Sequence, residues 1–367
     1  MFARKDNITI QQMVYIVIQA QIGVGILSLP YNVAKYADHD SWISTLIAGV
    51  LMIGVILIMW MLCNQYPCLV MYDIFKKTSG EFLGKTLIVC YAVYFMLQGS
   101  YILARYGHIV GSWVLERTPH WIIISLMVAV SAYIVKDTLQ SLARFYVLVT
   151  PLLIILLFLS TYSLKDANFL YILPIGSAGA LNIFKGSKEA IFSMLGFDFI
   201  FFIFPFVNGS SKQKLKAVIM AHIFVTLFYT YLVFISLVYF MSPADINLTP
   251  EPFIYMIKAY SFHVIERMDL FFISIWIISV ATSFMYLLLL SSKGLANLFR
   301  LEHTRFLPLI CVITLIVSIW FMHIDKLNVI NKYLTACHYV FQLFIPALLL
   351  AVSFITKRRA SVRHEAK

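Results

Sequence analysis

The chain has 367 residues, 61% of them hydrophobic and 12% charged, with a formal net charge of +11. Soluble domains average about 45–50% apolar and about 25% charged residues, so a water-soluble globule is excluded. No hydrophilic block is long enough to fold alone, and the sequence reads as an all-α polytopic membrane protein with a single transmembrane domain over residues 1–367.

The first twelve residues, Met1 to Gln12, are short and polar. The apolar run that follows carries no small-residue cleavage signal, so it is expected to stay as the first helix. Spans of about 20 apolar residues are predicted at 10–36, 42–64, 86–113, 120–136, 142–162, 187–207, 216–241, 268–292, 306–323 and 333–356, about ten in all, the fourth and ninth being short.

Within the first span, Gln19 and Gln21 lead into Gly23-Val24-Gly25 before the run continues through Leu29 and Pro30. Two glycines so close weaken a helix by about 1 kcal/mol each relative to alanine. One reading is close helix packing through small residues. The other is an unwound stretch, tolerable in a membrane only where the backbone is buried in protein or wetted. The third span places Tyr94, Gln98 and Tyr101 at i, i+4 and i+7, one helical face that suits either a polar path or an ordinary helix contact. Arg105, near the end of that span, is either a counter-ion for a membrane carboxylate or a side chain that snorkels to the interface.

The carboxylate is Asp198, set in Ser193-Met194-Leu195-Gly196-Phe197-Asp198 in the middle of the sixth span. A carboxylate at mid-bilayer costs on the order of 2.5–3.5 kcal/mol on the insertion scale, so either a functional role or a cap on the second half of the span is expected of it. Spans one and six lie five apart. Paired interruptions in two five-helix halves mark transporters built from an inverted repeat, with the ligand held near the midplane between the breaks. The repeats are expected at about 10–162 and about 187–356. Half-helix N-termini suit a carboxylate, whereas unwound carbonyls suit an ammonium. The expected ligand is a small zwitterion or polar nutrient.

Further along, Thr282 and Ser283 sit in the apolar middle of span eight, where hydroxyls usually bond back to a carbonyl one turn earlier. His222 and His338 stand alone, without a second ligand at metal spacing, and are assigned no chemistry. The five cysteines, Cys63, Cys68, Cys90, Cys311 and Cys337, are scattered and suggest neither a metal site nor a disulfide framework. The sequence carries no phosphate-binding loop and no supportable catalytic constellation, so neither an enzyme nor a cofactor is expected. Lys and Arg fall about two to one on the side of both termini when ten spans are drawn, which places both ends in the cytoplasm. Basic residues dealt out among short loops also argue against nucleic acid as a partner.

Six stretches in order, taken together, resemble the B subunits of spore germinant receptors, the germination permeases related to amino acid–polyamine–organocation transporters. They are Gly23-Val24-Gly25-Ile26-Leu27-Ser28-Leu29-Pro30, Asp40-Ser41-Trp42-Ile43, Leu115-Glu116-Arg117-Thr118-Pro119, Ala143-Arg144-Phe145 with Pro151, Leu195-Gly196-Phe197-Asp198, and Ile265-Glu266-Arg267-Met268-Asp269 ahead of Trp276. The resemblance implies a subunit of the spore inner membrane that binds a nutrient, often an amino acid, and acts with an A subunit and a lipoprotein C subunit. It implies a ligand pocket at Gly23, Gly25, Leu195 and Gly196, with Gln98 and Thr282 as further walls. Where many members carry Glu after Leu-Gly-Phe, this chain has Asp198, one methylene shorter. Two other readings remain open: a proton- or sodium-coupled amino-acid or amine transporter using Asp198, and a channel subunit whose path is the Tyr94–Tyr101 face.

Overall fold

The computed structural model describes residues 7–259, 267–322 and 324–365. Arg4, Lys5 and Lys367 of the charge count, and Ile265 and Glu266 of the last motif, lie outside the described residues. Seventeen α-helices are assigned among those described. A single residue bridge, Ile8 with Val207, is the one piece of β pairing among them.

The first span is divided as its glycines suggest. Helix α1 (Ile10–Gln21) begins with a capping box, in which Thr9 and Gln12 each satisfy the other's backbone N–H, and ends at Ile22 in an extended conformation. Helix α2 (Gly25–Ala37) resumes the path and passes through a one-turn bend at Asp38–Asp40 into α3 (Ser41–Gln65). The short α4 (Met71–Ser79) leads to α5 (Glu81–Trp113), a 33-residue helix about 50 Å long. Helix α6 (His120–Val135) follows, then α7 (Leu139–Val149) and α8 (Leu152–Thr161), which are separated at Thr150-Pro151 because proline cannot donate into the ladder.

The second half opens with α9 (Gly179–Ser193), which breaks at Met194-Leu195-Gly196 and continues at an angle of 51° through a turn into the one-turn α10 (Ile200–Ile203). Then come α11 (Ser211–Tyr239), the short α12 (Pro243–Asn247) and α13 (Pro252–Lys258), the 32-residue α14 (Met268–Phe299) and α15 (His303–Phe321). Helix α16 (Ile324–His338) widens into a π turn at Tyr339–Phe344 before α17 (Ile345–Glu365).

All ten predicted spans fall on helical segments. Seven helices are long and apolar enough to cross a membrane, or eight with the bent α9–α10 pair taken as one span. The shortfall from ten arises because α1 and α2 are 12 and 13 residues long, because α2 and α3 form one continuous 41-residue stretch, and because α6 has only 16 residues. Helix α14, buried over most of its length, packs along α5, and α1 lies against α11 and α14 at the centre. The two interrupted spans are tied together at one end, where Ile8 N–H donates to the Phe206 carbonyl (3.0 Å) and Asn208 N–H donates to the Ile8 carbonyl (2.9 Å). At the other end Asp40, fully buried, accepts from the Gly176 and Ala178 N–H groups (2.7 and 3.0 Å) and so fixes the segment entering α9.

Candidate functional site

The two interruptions meet face to face, and glycine is what allows the approach. A Cβ on Gly25 would lie 2.8 Å from Ser193 Oγ and 2.9 Å from Ser193 Cβ, and one on Gly23 would lie 2.6 Å from Ser283 Oγ. Gly196 adopts φ +120°, a conformation few side chains tolerate, and turns its Cα onto the backbone of Ala20 and Gln21.

Breaking α1 frees its last carbonyls, and side chains from distant helices take them up. Tyr229 of α11 donates its hydroxyl to the Gln21 carbonyl (3.0 Å). Ser283 of α14 donates to the Ile22 carbonyl (2.8 Å), and Trp276 Nε1 donates to the Gly23 carbonyl (3.3 Å). His222, buried on α11, bridges the Gln21 side chain (2.8 Å) and the Gly49 carbonyl (3.0 Å). These bonds supply what an unwound backbone buried in protein requires. Each of these carbonyls therefore already accepts one bond, from Tyr229, Trp276 or Ser283, before any ligand.

Between the breaks lies a cavity of about 40 Å³, bounded by Gly23, Gly25, Gln98, Ser193 and Tyr286 among others. Leu195 and Tyr101 also line it. The Gln98 side-chain oxygen Oε1 is buried and has no hydrogen-bond partner among the described residues. Sites for drug-sized ligands run from about 300 Å³ upward, so this cavity is in a closed form that holds little more than a water molecule.

The remaining predicted residues sit elsewhere. Thr282 turns from the cavity, donating to the Gln19 side chain (2.9 Å) and to the Ser279 carbonyl (2.8 Å). Tyr94 shares its face with Gln98 but makes other bonds: its hydroxyl meets His338 Nδ1 at 2.5 Å and accepts from Gln342 Nε2 at 3.0 Å. The π turn that follows His338 loosens the backbone locally, and the Phe341 carbonyl accepts from Tyr91 (2.6 Å).

Asp198 lies outside the cavity lining, buried at 5% exposure. The backbone N–H groups of Asp198 and Phe199 are beside it, yet neither carboxyl oxygen has a partner at hydrogen-bonding geometry among the described residues. Arg105 is not its counter-ion. The guanidinium instead pairs with Glu251 at 3.7 Å, inside a separate polar cavity of about 490 Å³ that also contains Lys35 and Glu189 and shares Tyr101 as a wall. The correction is one of depth: Arg105 is two turns nearer the end of α5 than Gln98 and reaches the segment ahead of α13.

Sequence reasoning passed over Ser193, Phe192 and Tyr286 at the cavity, and His338 beside it. Only Ser193 carried a local signal, its place immediately before Met194-Leu195-Gly196.

The family model described as "Spore germination protein" matches residues 7–327. Spore germination protein GerQB of Bacillus cereus is 27% identical over 92% of this chain and 93% of its own length. Spore germination proteins YndE and B2 of Bacillus subtilis (strain 168) are 26% and 25% identical, covering 98% and 96% of this chain and 99% and 97% of theirs. Among solved structures, MhsT in complex with L-phenylalanine aligns with a TM-score of 0.68 at 14% identity, over 96% of this chain and 99% of that one. Mhp1, a nucleobase-cation-symport-1 family transporter in a closed conformation, aligns with a TM-score of 0.65 at 13% identity, over 97% and 80%. Both alignments run over nearly the whole of this chain and show a shared overall fold. A match of that extent, on a multi-pass helical bundle with both interruptions in place, makes the chain a member of the spore germination protein family.

Proposed function

We infer that the protein is the nutrient-sensing membrane subunit of a spore germination receptor and that it binds a small zwitterion, an amino acid in the first instance, between the two interrupted helices. The observation that carries this reading is the junction of Gly23, Gly25 and Ser193 around the central cavity, where two helix ends of opposite polarity converge. The start of α2 offers unpaired N–H groups and a partial positive charge for the ligand carboxylate. The end of α9 offers carbonyls and a partial negative charge for the ammonium. Leu195, Gly196 and Gln98 form the surround.

The relatives named spore germination proteins support a role in germination, and the phenylalanine complex of MhsT supports an amino-acid ligand. Because the cavity is closed, a ligand must select a more open arrangement, and binding the open and closed states unequally is what turns occupancy into a signal. We assign the output to an A subunit and a lipoprotein C subunit in the spore inner membrane, with both termini in the cytoplasm.

A specific observation keeps a second reading in view. Asp198, buried and without a side-chain partner among the described residues, is the kind of group that binds a coupled proton in a transporter. Uptake of labelled amino acid into proteoliposomes under an ion gradient separates the two: gradient-driven accumulation supports transport, whereas binding without accumulation supports the sensor.

A further inference from the structure

A second cavity, about 390 Å³ and almost wholly apolar, lies between α3, α9 and the α16 end. Phe192 and Leu195 line both it and the 40 Å³ cavity between the breaks, so these two side chains form the wall between them. Phe192 stands on the last turn of α9, immediately before the interruption, with its ring centroid 5.9 Å from that of Tyr101 and 5.0 Å from that of His338. A residue at a helix end followed by Met194-Leu195-Gly196 can swing without breaking further backbone hydrogen bonds of its own helix.

We propose that the larger cavity is the side-chain subsite of the germinant site, and that the ligands it admits are amino acids with extended apolar side chains. This rests on the reading of the central cavity as the site for the ligand's charged ends. The central cavity has no room for a side chain. The adjoining one is a crevice whose inner wall is Val55, Ile58 and Ile191 and whose open side carries the exposed Leu51 and Leu343; these offer an apolar side chain transfer out of water without a hydrogen-bonding demand. Displacement of Phe192 joins the two.

Its polar floor is narrow and has a defined sense. Gln342 Nε2 donates to the Tyr94 oxygen, so the Tyr94 hydroxyl hydrogen is directed to His338 Nδ1. His338 then carries its hydrogen on Nε2. That donor and the Gln342 Oε1 acceptor are the cluster's two atoms without partners among the described residues. A phenolic hydroxyl, both donor and acceptor, is accommodated there, and the one charged residue of the lining, Lys188, is exposed.

The test is equilibrium binding of L-alanine, L-leucine and L-phenylalanine to the purified full-length protein in nanodiscs, together with a Gly54→Leu variant. Gly54 lines the open side of the large cavity, and a Cβ there meets no atom of the described residues within 4 Å, so leucine is admitted at the cavity mouth without displacing backbone. Affinity is expected to rise about 4-fold per buried methylene from alanine to leucine. Gly54→Leu is expected to bring leucine and phenylalanine to within about 3-fold of alanine. Equal affinity for all three, or an unchanged leucine preference in Gly54→Leu, overturns the subsite while leaving the central site standing. Failure of all three to bind overturns both.

Discussion

Gly25 and Ser193 face one another across the two interrupted helices with no space for a side chain on the first. A Cβ at Gly25 would stand 2.8 Å from Ser193 Oγ and 3.0 Å from Ser193 Cα. Gly25→Ala therefore forces the two helix ends apart or fills the space between them, and amino-acid binding is expected to fall at least tenfold while the protein remains in the membrane. Ser193→Gly removes the two nearest clashing atoms, so the double variant is expected to recover much of the loss. Calorimetric titration of both variants checks this. A double variant as weak as Gly25→Ala alone places the defect elsewhere.

The Ser283 hydroxyl closes the backbone opened at Ile22. Ser283→Ala leaves a buried carbonyl without that donor and is expected to cost about 1–3 kcal/mol of stability, whereas Ser283→Thr, which keeps a hydroxyl, is expected to cost less. Thermal unfolding in detergent measures the difference. Equal melting of Ser283→Ala and the parent would mean that another donor serves Ile22.

Arg105 is tied to Glu251 and not to Asp198, and a double-mutant cycle distinguishes the pairs. The Arg105 and Glu251 side chains are 17% and 11% exposed, sheltered enough that their coupling is expected at about 1 kcal/mol. Arg105→Gln and Asp198→Asn are expected to combine within about 0.5 kcal/mol of additivity. Coupling above about 1 kcal/mol between Arg105 and Asp198 would contradict the assignment.

Tyr94→Phe removes the oxygen that both His338 and Gln342 use. Two buried groups lose a partner together, and a destabilisation of about 1–3 kcal/mol follows. Unfolding that begins no earlier in Tyr94→Phe than in the parent protein would show that this cluster does not hold the π turn against α5.

Asp198→Asn removes a buried carboxyl that has no hydrogen-bond partner among the described residues. Because an unpaired carboxylate is costly to bury, the variant is expected to melt at the same temperature as the parent or higher. A large fall in stability would reveal a partner that stabilises the charged form.

The interruptions are legible in the sequence because glycine at 23, 25 and 196 is demanded by close approach, of the Ser283 side chain at 23 and of backbone at 25 and 196, and close approach leaves a residue-type signature. What closes the interruptions is not legible. Tyr229, Trp276 and Ser283 reach the end of α1 from more than 200 positions away, and nothing in their local sequence distinguishes a donor to a freed carbonyl from an ordinary interior side chain. His338 is a lone histidine in the sequence and one of three linked side chains in the fold, since its partner Tyr94 lies 244 positions earlier. Arg105 and Asp198 invite pairing because they carry the opposite charges in apolar runs. Hydropathy conveys membership of a span but not depth across the bundle, and depth sets Arg105 against Glu251.

The central claim is that ligand sits where Gly25 meets Ser193. Its most direct test is a thermal-shift screen of the purified full-length protein against the amino acids and common sugars, with Gly25→Leu screened in parallel. The account predicts that at least one amino acid raises the melting temperature of the parent and that none does so for Gly25→Leu. The same ligand stabilising both proteins equally would contradict it.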